Sequence, residues 1–396
     1  MGHLDVKSLY KVFGPQPKKA IELQNSGQDA EKIFSETGLN IAVNDVSFEV
    51  EKGETFVVMG LSGSGKSTLI RCLNRLHEPT AGEIILEGEN LLAMDSDALK
   101  AIRRKKMGMV FQNFGLFPHR SVVRNVDYGL EIQGVEHEER RKRAYDVLEL
   151  VGLQGYEEAM PSELSGGMQQ RVGLARALVL DPEILLMDEA FSALDPLIRR
   201  DMQDELIALQ EKMQKTIVFI THDLDEALKL GDRIAVMYQG RIVQIGTPEE
   251  ILTEPADDYV KNFVEDVDRS KVLTAETIMK PPLAVVSSKD GPKSAVRKMR
   301  KEEISSIFVV NKDRELQGIV DIQDAVDLAD KGKRSLQSAI TNGFHEVKPD
   351  TTIVDILPMA REAKYPIAVV DDQRRLQGVI VRVSVISGIA GGEEDE

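Results

Sequence analysis

Tryptophan is absent from this 396-residue chain, aromatic residues make up 5%, and Cys72 is the only cysteine. One thiol excludes an internal disulfide and any cysteine-built metal cluster, and it suits a reducing compartment. Long apolar runs are missing too. No stretch approaches the roughly 18 residues needed to cross a bilayer, and the opening Met1-Gly2-His3-Leu4-Asp5 lacks the apolar region of a signal peptide. Any membrane role is therefore expected to come through a partner. Basic residues are outnumbered, 50 against 66 acidic, for a net charge of −16. That balance argues against nucleic acid as a partner. Three basic clusters run against the trend: Arg103-Arg104-Lys105-Lys106, Arg140-Arg141-Lys142-Arg143 and Arg297-Lys298-Met299-Arg300-Lys301. Such runs read first as solvated faces, and the last, on an amphipathic stretch, also fits an anionic lipid surface.

What is present is ordinary globular material, 42% hydrophobic and 29% charged, in a chain long enough for two or three domains. Its most specific feature is Gly60-Leu61-Ser62-Gly63-Ser64-Gly65-Lys66-Ser67-Thr68, set between the apolar run Thr55-Phe56-Val57-Val58-Met59 and the helical start Leu69-Ile70-Arg71-Cys72-Leu73. The glycines let successive backbone N–H groups turn inward around phosphates. Lys66 is placed to reach the β- and γ-phosphates, Ser67 to ligate Mg²⁺, and the helix that follows presents its positive end. The expected ligand is a nucleoside triphosphate.

Downstream, Glu183-Ile184-Leu185-Leu186-Met187-Asp188-Glu189 reads as a buried parallel strand ending in two acids. Ligands bind at the carboxyl ends of such strands, so Asp188 is expected to hold Mg²⁺ through water and Glu189 to orient or deprotonate the attacking water. Between the two motifs stands Leu164-Ser165-Gly166-Gly167-Met168-Gln169-Gln170-Arg171, a second glycine-bearing helix start able to meet an anion.

Leu-Ser-Gly-Gly followed by Gln-Gln-Arg, ahead of the strand with two acids, resembles the signature of ATP-binding cassette (ABC) ATPases. The resemblance implies a P-loop α/β nucleotide-binding domain over residues 1–265 with a helical subdomain at about 90–165. It implies that Ser165, Gly166, Gly167 and Gln169 touch ATP held by a second copy, in a head-to-tail dimer. It also assigns Gln112 to the loop that meets Mg²⁺ and water, Asp195 of Ser192-Ala193-Leu194-Asp195 to the dimer contact, and His222 to the γ-phosphate. Phe13 is the expected adenine platform, with Tyr10 as its rival, because an insertion over residues 15–38 separates both from the next strand. Residues 22–34 are expected to form one helix there.

Absence of a second cassette and of a long coiled coil favours a transporter over repair or translation. The stretch Asn113-Phe114-Gly115-Leu116-Phe117-Pro118-His119-Arg120 resembles the groove in which bacterial importers receive a coupling helix, although some of its side chains are expected to pack on their own subdomain.

Beyond residue 276 the sequence repeats at an offset of 60: Ile307-Phe308-Val309-Val310 to Gly318-Ile319-Val320 returns as Ile367-Ala368-Val369-Val370 to Gly378-Val379-Ile380. Each copy reads as strand, turn, strand between helices, the leading helix carrying Met299 or Met359. The pair resembles tandem cystathionine-β-synthase (CBS) domains, an α/β module placed at 279–335 and 336–390 after a linker at 266–278, with an acidic tail at 391–396. Asp321 and Asp324 are its expected ligand contacts, for an adenine nucleotide or cyclic di-AMP.

A cassette followed by a CBS pair resembles the ATPase subunits of glycine betaine/proline betaine importers, the osmoprotectant branch of the family. That resemblance implies a permease subunit, a substrate-binding domain reached through it, and a place on the cytoplasmic face of the membrane. It also implies regulation by ionic strength or nucleotide. Two alternatives stay open: a cassette that energises import of another solute, and an ATP-dependent CBS regulator with no membrane partner.

Overall fold

The computed structural model describes residues 2–112, 114–265 and 267–390, and the acidic tail expected at 391–396 lies outside them. Two compact units divide between residues 265 and 266. Among the described residues no helix is long and apolar enough to cross a membrane.

The first unit holds two sheets. Thr55–Met59 is fully buried and sits in the middle of a six-stranded sheet, between Thr216–Thr221 and Arg233–Tyr238. Ile184–Asp188 and Met107–Val110 extend that sheet on the Thr216–Thr221 side, all parallel, and Arg241–Gly246 closes the other edge antiparallel. Continuous apolar runs are what a sheet covered on both faces requires. The second sheet is antiparallel and built on Leu4–Phe13, Asn40–Val50 and Ala81–Leu86. Its inward alternation delivers Phe48, which stacks on Phe56 of the central sheet at 4.9 Å. Removing either ring would cost on the order of 3–5 kcal/mol.

Two expectations change here. The insertion forms two helices, Pro17–Asn25 and Ala30–Thr37, not one. Gly27 at φ 92° breaks the chain between them, and Asp29 caps the second by accepting from the Glu31 N–H at 3.2 Å. The stretch at about 90–165 is not wholly helical either. Met107–Val110 returns to the central sheet, because an apolar four-residue run beside Ile184–Asp188 buries better as a strand, and helices such as Val122–Val126 and His137–Leu150 follow it.

In the second unit each repeat makes a three-stranded sheet of the same order. One is Val285–Ser287, Ser306–Val310, Leu316–Asp321; the other is Glu346–Val347, Ile367–Val370, Leu376–Ile380. Met299 lies on the helix Pro292–Lys301 and Met359 on Ile353–Glu362. The repeats grip each other reciprocally: Leu316 N–H donates to the Arg374 carbonyl at 2.9 Å and Leu376 N–H to that of Arg314 at 3.1 Å. Phe308, Leu316 and Ile319 share a core with Ala368, Val370 and Leu376.

The segment expected as a linker, 266–278, is folded onto the second repeat over its described residues. Leu273, Ala275 and Ile278 are buried, and Ala275 N–H donates to the Thr351 carbonyl at 2.7 Å. Apolar side chains at these positions make the segment part of the module.

Cys72 is fully buried on the helix Lys66–Leu73, and burial pushes its thiol up to about 12. The thiolate is the reactive form, so the folded chain should resist maleimide at pH 7.5 and label only after denaturation. Rapid labelling of the native chain would contradict this packing.

Candidate active site

The central strand Thr55–Met59 delivers the glycine loop to the carboxyl edge of the parallel sheet, and the helix Lys66–Leu73 leaves from it. Gly60, Gly63 and Gly65 have φ of 151°, 84° and 106°. A Cβ on Gly60 would stand 2.2 Å from the Met237 carbonyl oxygen, and one on Gly65 would stand 2.2 Å from that of Ala42. Neither carbonyl can retreat without breaking its strand, so both positions require glycine.

Lys66 is buried, and its ammonium donates to the carbonyls of Gly60 at 2.7 Å and Leu61 at 3.0 Å. Burial lowers its pKa, partly offset by the carboxylates of Glu189 and Asp188. These loop carbonyls hold the cation at the mouth of the cradle. Ser62, Ser67 and Thr68 line the same cavity, of about 990 Å³, while Ser64 is buried under the loop.

Asp188 ends the strand Ile184–Asp188 and is 1% exposed. Its Oδ2 accepts two bonds from Arg71, from Nε at 3.2 Å and Nη2 at 3.0 Å, and its buried Oδ1 has no partner. A buried carboxylate oxygen left unpaired is costly unless something cationic or water-bearing meets it. Beside a phosphate cradle, that oxygen and Ser67 fit a hydrated Mg²⁺.

Glu189 has φ 45°, a left-handed backbone that no glycine relieves, held by its N–H donating to the Ile220 carbonyl at 3.1 Å. Strain of this kind costs on the order of 1–3 kcal/mol and gathers at working sites. Its carboxylate sits between two of the residues singled out in the sequence: Oε2 accepts from Gln112 Nε2 at 3.2 Å and lies 3.4 Å from His222 Nδ1. Gln112, Glu189 and His222, from three separate stretches of sequence, thus come together. Ser192 joins them, donating to the Glu189 carbonyl at 2.9 Å and accepting from Gln112 at 3.3 Å.

Phe13 lines the cavity and Tyr10 is not among its lining residues. The Phe13 ring meets His77 edge to face at 5.6 Å. Burial, with Arg71 and Lys11 nearby, lowers the His77 pKa, so the neutral imidazole makes this contact at pH 7. The opposite wall was not foreseen. It comes from the insertion, with Gln24, Gln28 and the exposed ring of Phe34.

Ser165, Gly166 and Gly167 begin the helix Gly166–Leu178, with Ser165 accepting from the Met168 N–H at 3.3 Å. They and the exposed Asp195 stand apart from the residues that line the cavity. Gln169 turns inward instead, donating to the carbonyls of Pro161 at 3.1 Å and Leu164 at 3.3 Å, so its side chain braces the turn that aims Ser165.

Arg71 is the chief residue that motif reading passed over. It lies four positions after Ser67 and so on the same helix face, a spacing that places Arg71 near the site but does not name Asp188 as its partner. A second cavity, of about 530 Å³, is lined by Arg71, Phe111, Gln112, Phe117, Tyr128 and Arg176, among others. Here Phe117 packs on Tyr128 at 4.7 Å, and Arg176 donates to the carbonyls of Phe114 and Gly115, so part of the aromatic stretch does rest on its own helices.

A cradle beside a buried aspartate, on a parallel sheet with a helical arm ending in a second glycine-led helix, puts the first unit in the class of ATP-binding cassettes. The ABC transporter family model matches residues 43–192 and the CBS domain model residues 275–331. The glycine betaine/carnitine transport ATP-binding protein GbuA of Listeria monocytogenes is 54% identical over 99% of this chain and 99% of its own. The glycine betaine/proline betaine transport system ATP-binding protein ProV of Escherichia coli is 46% identical over 95% of each. Among solved structures, the dimeric cassette MJ0796, bound to ADP and Pi after hydrolysis, superposes at a TM-score of 0.52. It is 32% identical and covers 62% of this chain and 98% of its own. This chain belongs to the ABC family, in its branch of ATP-binding proteins of glycine betaine transport systems with CBS domains.

The two glycines without room set a test. Gly65→Ala should abolish binding of a fluorescent ATP analogue and lower stability by about 1–3 kcal/mol in urea, because its Cβ meets backbone. Gly63→Ala, with nothing within 4 Å of its Cβ, should lose less stability. Equal losses at the two positions would contradict the packing described.

Proposed function

We propose that the chain hydrolyses ATP with Mg²⁺ in a head-to-tail pair of cassettes, and so powers import of glycine betaine or a related quaternary amine through a membrane permease. The observation that carries the catalytic part is the convergence of Gln112 and His222 on the Glu189 carboxylate beside the glycine loop. Lys66 exchanges loop carbonyls for phosphate oxygens. Ser67, Asp188 and Gln112 hold the metal, which when bound neutralises charge developing on the γ-phosphate. Glu189 takes a proton from the attacking water, and Gln112 and His222 fix where its Oε2 points. Phe13 supports the adenine.

Ser165, Gly166 and Gly167 stand apart from the chain's own cavity, which supports their use on ATP held by a second copy, with Asp195 at that contact. The cavity at Phe111 and Phe117 suits a coupling helix from the permease, and this supports a peripheral position on the cytoplasmic face. The solute follows from relatives whose names give glycine betaine, carnitine and proline betaine. Solute recognition itself falls to the permease and its substrate-binding domain.

The CBS module is the regulatory part of this reading. Asp321 caps the helix Ile322–Asp330 and accepts weakly from the Tyr365 hydroxyl at 3.4 Å, with Lys364 at 3.5 Å. An adenine nucleotide or cyclic di-AMP at Asp321 and Asp324 would exchange those contacts. On the basic helix Pro292–Lys301, Arg297, Arg300 and Lys301 are exposed, while Lys298 is half-buried and donates to the Val285 carbonyl at 3.1 Å. Lipid attraction therefore rests on three of the cluster's four cations. Replacing those three with Gln should flatten the salt dependence of transport, since screening sets in over a Debye length of roughly 10 Å at 0.1 M salt.

The deciding experiment is the ATPase rate of the chain copurified with its permease in anionic lipid, with and without glycine betaine and its binding domain. Stimulation is expected. Intact basal hydrolysis with no stimulation would move the solute elsewhere, and failure to copurify with any permease would leave the regulator alternative.

A further inference from the structure

We propose that Arg71 is a positioning residue that sets the Mg²⁺ affinity of the ATP site. The inference rests on the reading that Asp188 serves Mg²⁺. Asp188 is 1% exposed, and a carboxylate so buried keeps its charge and orientation only through partners. Arg71 supplies both by placing Nε and Nη2 on the same oxygen, Oδ2, at 3.2 and 3.0 Å. That grip occupies one oxygen and leaves Oδ1 unpaired. Two N–H groups of one planar guanidinium fix where Oδ2 lies and support its charge, a two-point hold that a single ammonium does not reproduce.

Placement supports the same role. Arg71 is four residues beyond Ser67 on the helix Lys66–Leu73, so one helix face carries both the expected metal hydroxyl and the group that orients the expected metal carboxylate. The guanidinium stays 41% exposed and lines the second cavity beside Gln112 and Phe117. It needs no place in the buried core to do this. Partners that orient a metal-binding carboxylate from behind typically change metal affinity by about 10–100-fold when lost.

The test is a titration of the full-length chain with a fluorescent ATP analogue, first without metal and then with rising Mg²⁺. Arg71→Gln should bind the analogue without metal as the parent does, and should melt at a lower temperature because Asp188 loses its charged partner. Its Mg²⁺ midpoint should rise by about tenfold. Arg71→Lys should shift the midpoint in the same direction by less. If the Gln variant does not fold, the Lys variant decides alone: a raised midpoint supports the role and an unmoved one overturns it. Failure of the parent chain to bind the analogue would overturn the ATP reading together with this inference, whereas unmoved midpoints in the variants overturn this inference alone.

Discussion

The phosphate loop is wedged between two sheets that belong to different layers, and the wedge admits no side chain. Gly65 lies against the Ala42 carbonyl of the antiparallel sheet, and Gly60 against the Met237 carbonyl of the central sheet. The stacked rings of Phe48 and Phe56 hold those sheets in register behind it. Everything that acts on a nucleotide hangs from this wedge. It fixes where Lys66 begins its helix, hence where Ser67 and Arg71 point, and it leaves Asp188 and Glu189 to complete the cradle from the end of the strand Ile184–Asp188, one strand removed in the sheet.

Charge placement then follows a simple economy. Two acids meet one buried lysine and one arginine at the edge of a low-dielectric sheet, and each acid has a distinct set of partners. Asp188 is held from behind by Arg71, and Glu189 from the sides by Gln112 and His222. Such differentiation suits the proposed use of adjacent carboxylates for different ends, one for a metal and one for water. The glycine-led helix at Ser165 stands apart from the cavity it would complete. In the proposed reading one cassette carries half of two sites, which gives ATP its part in joining two copies.

Much of this was legible in the sequence because phosphate chemistry constrains contiguous residues. The glycine loop, the strand ending in Asp188 and Glu189, and the glutamine and histidine at strand ends are short motifs whose spacing carries their geometry. The 60-residue repeat was equally plain, and the reciprocal bonds of Arg314 and Arg374 are its physical expression. Contacts between distant positions were harder to see. The ion pair of Arg71 with Asp188 spans 117 residues, and no local pattern announces it. The single helix expected over residues 22–34 of the insertion divides in two, because the chain turns left-handed at Gly27 and Asp29 caps a new helix. Its role as a cavity wall, through Phe34 and Gln28, depends on where the helices pack and not on what they contain. Likewise Leu273 and Ile278 look like linker residues until the second repeat offers them a surface.

The central claim is that each cassette is incomplete alone and that ATP completes it by bringing in a second copy. Sedimentation of the full-length Glu189→Gln chain with ATP and Mg²⁺ tests this most directly, since the proposed role of Glu189 predicts a variant that binds nucleotide without consuming it. The account predicts a shift to a dimer with ATP and its reversal when ADP replaces ATP. A species of unchanged size under saturating ATP, in a chain shown to bind it, would contradict the account.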